Sequence, residues 1–346
     1  MIFTIFVGSN SNSRMKKILS ATIYTALVLI AAGCAKTVQP GANEANKRFL
    51  DAWMQVNYPG IAPTELGTYV LDQTKGEGSL VEKDGYAIVD YMTTDLDGNI
   101  TAFTDKMTAK QLGQYDTSVY YGPKVWTTKD ETIMIGLSDV LIGMKVGGWK
   151  KALIPSWLMT YKEDSSGSTS YDNTIYEFTV RDYTNDINGW EVGKIGEYLS
   201  ANESLGLTVA DSLQYGFYYS QLSAPSDTTS FPSDTTIYIN YTGKLLNGLV
   251  FDTTDERTAK QNGIYSASKT YKPLPVKWAE EYSDIQLNSS GVISGFALTL
   301  WQMRAFEKGM GIFYSPLGYS YSGSGNSIPG YAPLIFEVEI VEKPED

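Results

Sequence analysis

"YTGKLLNGLVFD" runs from Tyr241 to Asp252, followed in order by "VISGF" (Val292–Phe296), "SPLGYSYSG" (Ser315–Gly323) and "LIFEVEI" (Leu334–Ile340). The first and last alternate apolar and polar residues at the period of a strand, with Gly and Asn at the turn between runs. "VISGF" opens a short helix, because Phe296, Leu300 and Met303 stand at i, i+4 and i+7 and share one face. Together the segments put Tyr, Phe, Val and Ile around a hollow and supply almost nothing that could act as acid, base or nucleophile. The chemistry they suit is catalysis by environment.

The same order occurs earlier in the chain. "GLSDVLIGM" (Gly136–Met144) matches "GFALTLWQM" (Gly295–Met303), with Leu137, Leu141 and Met144 on one helical face. Each copy has an upstream Tyr in an alternating strand, Tyr91 or Tyr241, and a closing strand, "TIYEFTVRD" or "PLIFEVEIV". These matches imply an internal duplication, with one domain over 48–183, a second over 205–346 and a helical connector over 184–204 whose apolar side is Trp190, Ile195, Tyr198 and Leu199. In each copy the glycine opens the helix, which lies across a curved antiparallel sheet. The fold class is therefore α+β, two curved sheets each wrapped around a short helix.

Composition narrows the chemistry. The chain has no histidine, which removes Ser-His-Asp and Cys-His catalysis and His-ligated zinc. The acidic "TTDLDGN" at Thr93–Asn99 lacks the spacing and distal Glu of a calcium loop and reads as a hairpin turn, so no metal or cofactor is expected. With 25 Tyr, 32 Gly and only 19% charged residues the chain favours strands and aromatic surfaces. Residues 1–33 carry Arg14, Lys16 and Lys17 and then an apolar run from Ile18 to Ala32, too short to cross a bilayer, which is the pattern of a secretory signal. Met15 makes a more natural start for it than Met1. Removal of those three positive charges takes the net charge from −12 to −15, so nucleic acid is a poor partner. Residues 34–47 read as a flexible tether.

Two resemblances add to this reading. "LIAAGC", ending at the single cysteine Cys34, resembles the lipobox of a bacterial lipoprotein, with Ala31 where Leu is usual. That implies lipidation of Cys34 and a lipid-anchored place in the bacterial cell envelope, at the outer membrane, facing the periplasm or the surface. Residues from about 205 onward resemble FKBP-type peptidyl-prolyl cis-trans isomerases in the order and spacing of "YTG", "NGLVFD", "VISGF", "SPLGYSYSG" and "LIFEVEI". The resemblance implies two FKBP-like domains, and rotation of the bond before proline in unfolded exported chains, by desolvation and backbone hydrogen bonding.

It also implies roles for residues. Phe296 stands where the family usually has a Trp floor, and Tyr241, Phe251 and Phe336 form walls. Ile293 offers its N–H to the substrate carbonyl with Val292 beside it, Asp252 orients neighbours, and Leu274 stands for a pocket Phe. Tyr321 offers its hydroxyl to the substrate backbone, with Tyr319 as the rival because the spacing after Pro316 is ambiguous. The segment Trp278–Ser290 looks like an insertion beside the pocket, either a lid or decoration. The first domain looks degenerate, with Tyr91 and Phe103 at wall positions, Thr104 where Asp is expected, Met134 at the Ile position and Leu137 at the floor. The alternative function is a non-catalytic FKBP-like chaperone or assembly lipoprotein that grips extended segments.

Overall fold

A computed structural model describes residues 42–161 and 172–345. The signal segment, Cys34 and most of the tether lie outside the described residues. The chain divides into a unit ending at Asp51 and a second over 52–346. Helix α1 (Ala42–Asn57) starts in the first, so residues 42–47, read as tether, are helical. Both sheets lie in the second unit.

The first sheet is formed by β1 (Tyr69–Thr74), β2 (Tyr86–Thr94), β3 (Ile100–Phe103), β4 (Lys124–Thr127), β5 (Trp149–Ile154) and β6 (Thr174–Thr184), all pairs antiparallel. Its order is β1-β5-β6-β2-β3, with β4 sharing the outer edge of β2. Two helices interrupt it, α2 (Lys106–Gln111) after β3 and α3 (Ile135–Leu141) before β5. The turn from Thr93 to Asn99 is a hairpin, closed by the Asp95 N–H donating to the Asn99 carbonyl at 3.0 Å. Connector helix α4 (Ile187–Ala201) leads on, its N-cap Asp186 accepting from the Gly189 N–H.

The second sheet repeats the plan with β7 (Phe217–Ser223), β8 (Thr236–Leu245), β9 (Val250–Thr253), β10 (Leu274–Lys277), β11 (Gln286–Leu287), β12 (Ser290–Gly291), β13 (Lys308–Phe313) and β14 (Leu334–Val341). Helices α5 (Glu256–Gln261) and α6 (Ser294–Gln302) take the places of α2 and α3. The order is β12-β11-β10-β8-β14-β13-β7, with β9 on β8. Both helices α3 and α6 begin one residue before the glycine expected to open them. The glycines serve contact instead: a Cβ on Gly136 would strike Ile154 of β5, and one on Gly295 would strike the Phe313 ring of β13.

The segment Trp278–Ser290 widens the sheet and its core rather than hanging free. Trp278 is buried and stacks on Trp301 of α6 at 5.5 Å, Phe231 packs edge-on at 5.0 Å, and Ile285 is buried in the same core. Helix α4 covers the opposite face. Its Ile195 and Leu199 pack with Tyr218, Met310, Ile312 and Ile335, the residues that alternate out of β7, β13 and β14. Pleating at period two thus gives β13 one side for α6 and another for the connector.

Candidate functional site

Strand alternation and the α6 turn bring four of the expected rings together. Phe296 and Phe336 lie 4.9 Å apart, Tyr241 is 5.4 Å from Phe296 and 6.0 Å from Phe336, and Phe251 is 5.6 Å from Phe336. Phe313, which the sequence reading did not single out, stacks behind Phe336 at 5.8 Å. These are the tilted and edge-to-face contacts that aromatic rings prefer. Gly243 is required here, since a Cβ on it would come within 2.5 Å of the Phe251 ring. Phe296 and Phe336 are buried; Tyr241, Phe251, Val292, Ile293 and Tyr319 are half-buried against the same core, whereas Leu274, half-buried on β10 opposite Ile239, is not among the residues packed on it.

Polar groups gather at one edge. The Tyr241 hydroxyl donates to Asp252 Oδ2 at 2.5 Å. Burial, then the charge of Asp252, pushes that phenol well above its ordinary range, so it stays a donor. Lys269, from the loop after α5, pairs with the other Asp252 oxygen and lies over the Tyr271 ring. Burial and then the Asp252 charge also raise the Tyr319 phenol above its ordinary range. Among the described residues no partner is recorded for the Tyr319 hydroxyl, nor an acceptor for the Ile293 N–H at the N-cap of α6.

Tyr321 is the misplaced residue. It is 71% exposed and lines a different cavity, while Tyr319, the rival, packs with the rings. Ser320 between them has φ 53°, a left-handed turn that sends the two tyrosines to different surroundings.

That other cavity, of about 740 Å³, belongs to the first sheet. Tyr91, Trp126, Met134, Leu137 and Tyr176 line it, and Tyr321 and Tyr331 of the second half close one side. Register identifies it as the counterpart of the ring cluster. The Thr104 N–H donates to the Tyr91 carbonyl and its Oγ1 accepts from the Tyr91 N–H; Thr254 does the same with Tyr241. Thr93 pairs with Ala102 as Gly243 pairs with Asp252. The residue in place of the carboxylate is therefore Ala102, not Thr104, and Thr101, not Phe103, corresponds to Phe251. Tyr176, opposite Thr93, takes the place of Phe336, opposite Gly243. With a methyl and a threonine where the second half has Asp252 and Phe251, this hollow is wide.

Residues 227–341 match the family model of FKBP-type peptidyl-prolyl cis-trans isomerases. "FK506-binding protein 2" of Dictyostelium discoideum is 31% identical over 139 residues, 40% of this chain and 85% of that protein. A "Probable FKBP-type peptidyl-prolyl cis-trans isomerase" of Haemophilus influenzae is 33% identical over 129 residues, 37% of this chain and 43% of that one. "Macrophage infectivity potentiator" of Trypanosoma cruzi is 26% identical over 132 residues, 38% of this chain and 55% of that one. The chain spans about half the length of the latter two.

Proposed function

The chain belongs to the FKBP-type peptidyl-prolyl cis-trans isomerases, and from that premise we propose that residues 205–346 rotate the bond before proline in unfolded exported polypeptides. The observation that carries this is the convergence of Tyr241, Phe251, Phe296 and Phe336, with an Ile293 N–H and a Tyr319 hydroxyl that have no partner among the described residues. Rotation crosses a barrier of about 18–20 kcal/mol without making or breaking a σ-bond. A twisted amide loses resonance and charge separation, so a hollow that excludes water disfavours the planar ground state more than the transition state. Each ~1.4 kcal/mol of such preference is about tenfold in rate.

In this reading Phe296 forms the floor for the proline ring, and Tyr241, Phe251 and Phe336 form the walls. The Ile293 N–H donates to the substrate carbonyl on one side, and the Tyr319 hydroxyl takes the role first given to Tyr321. Asp252, held by Tyr241 and Lys269, fixes the Tyr241 ring. Proline-coupled proteolysis of a short X-Pro peptide tests the assignment. Tyr319→Phe should lower kcat/KM about tenfold with the fold intact, and an unchanged rate would remove Tyr319 from the site.

The first half's cavity supports a second role beside this one. It keeps the apolar lining but has Ala102 in place of the carboxylate, which suits holding an extended client segment without turning it over. Lipidation at Cys34 would set both halves at the envelope membrane, where exported chains fold. Labelling with a radioactive fatty acid in a bacterial host, lost in Cys34→Ala, would establish the anchor.

A further inference from the structure

We propose that Glu191, on connector helix α4, is a positioning residue for the second half's site, because it fixes the loop that carries Tyr319. The inference rests on Tyr319 being the hydroxyl that meets the substrate backbone. Glu191 is fully buried. Its Oε2 accepts the Ser315 N–H at 2.6 Å and its Oε1 accepts the Ser315 hydroxyl at 2.7 Å. Among the described residues its recorded hydrogen bonds go to Ser315 alone, and no lysine or arginine is paired with it.

A carboxylate in such a place is costly, and an amide would satisfy the same backbone donor. The first half illustrates that cheaper arrangement: Ser156 stands where Ser315 does, and its N–H donates to the neutral Asn173 Oδ1 at 2.9 Å. The second half differs in the loop beyond the serine. The Ser315 carbonyl accepts the N–H groups of Gly318 and Ser320, each at 2.8 Å, and these two residues bracket Tyr319. The Ser320 carbonyl then accepts the Tyr331 N–H at 2.8 Å, which closes the base of the loop. Glu191 therefore holds the first link of a chain of hydrogen bonds that ends on both sides of Tyr319.

The test uses the full chain and a short X-Pro peptide, with Glu191→Ala, Glu191→Gln and Glu191→Ala combined with Tyr319→Phe. Glu191→Ala should cut kcat/KM about tenfold, and Glu191→Gln, which keeps an acceptor for the Ser315 N–H, should stay within about twofold of the parent. In the Tyr319→Phe background Glu191→Ala should cost less than about twofold, because the group it positions is gone. An unchanged rate in Glu191→Ala, or an undiminished loss in the Tyr319→Phe background, would overturn the proposal. If Glu191→Ala does not fold, Ser315→Ala replaces it, with an expected loss of about threefold that disappears beside Tyr319→Phe; no loss, or the same loss in both backgrounds, overturns the proposal. If the parent chain shows no turnover, the isomerase reading falls, and amide hydrogen exchange decides this one separately. Faster exchange at Ser320 and Tyr331 in the Glu191 or Ser315 variant supports Glu191 as the anchor of the loop; unaltered exchange refutes it.

Discussion

Phe296 is a core residue, and in the proposed site it is also the floor of the hollow. At 3% exposure it cannot be cut back without a void, so Phe296→Ala should lose about 3–5 kcal/mol of stability along with activity, which urea unfolding would measure. Tyr319 and the Ile293 N–H are better probes of chemistry. Glu191 gives a prediction with a definite sign. Burial raises its pKa, so below the unfolded-state value near 4.5 both states are protonated; above it the unfolded chain ionises first and folding stability falls until the folded-state pKa is passed. The groups that face it, Tyr215 and Tyr331, are phenols whose own pKa values are raised, so neither titrates in that window. Glu191→Gln should therefore gain urea midpoint over the parent as pH goes from 4 to 7, and no gain would contradict the burial argument. The ring set was legible in the sequence because each member sits at a fixed phase of a strand or beside the α6 glycine. Lys269 and Glu191 were not: one reaches Asp252 across a loop, the other reaches Ser315 from another element, and no local pattern encodes either contact.

In the proposed site the start of α6 supplies the donor. Ile293 has φ −63° and ψ 145°, angles proline can adopt, so Ile293→Pro removes the N–H while keeping the backbone path. It should reduce turnover tenfold or more with a native circular dichroism spectrum, and full activity would exclude this N–H. The β10–β12 extension is structural, and Trp278→Ala should lose about 3–5 kcal/mol in denaturant unfolding through the Trp301 stack and the cavity left behind. The repeated plan of the two sheets, their helices and the Thr93–Asn99 hairpin could be read from periodicity and turn residues. The slip at Thr104 has a physical source: matching "AFTD" to "VFDT" by its Phe ignores the threonine that bonds back to the strand tyrosine in each copy, and that bond sets the register.

Across the whole 52–346 unit, the two sheets are joined by contacts that no local pattern announces. The Tyr120 N–H donates to the Asn326 carbonyl at 2.8 Å, the Tyr120 ring packs on the second core, and the Trp190 indole of α4 donates to Asp182 of the first sheet at 2.9 Å. Residues 205–346 alone would lack Ile195, Leu199 and Glu191. That fragment should unfold at lower urea than one beginning at 185, since each buried aliphatic side chain contributes roughly 1.5–3 kcal/mol. Equal midpoints would mean that the helix merely lies on the sheet.

The left-handed Ser320 has a consequence for anyone altering selectivity. Tyr319 packs on one ring cluster and Tyr321 lines the other hollow, so a loop graft meant to reshape one rewrites the second in the same stroke.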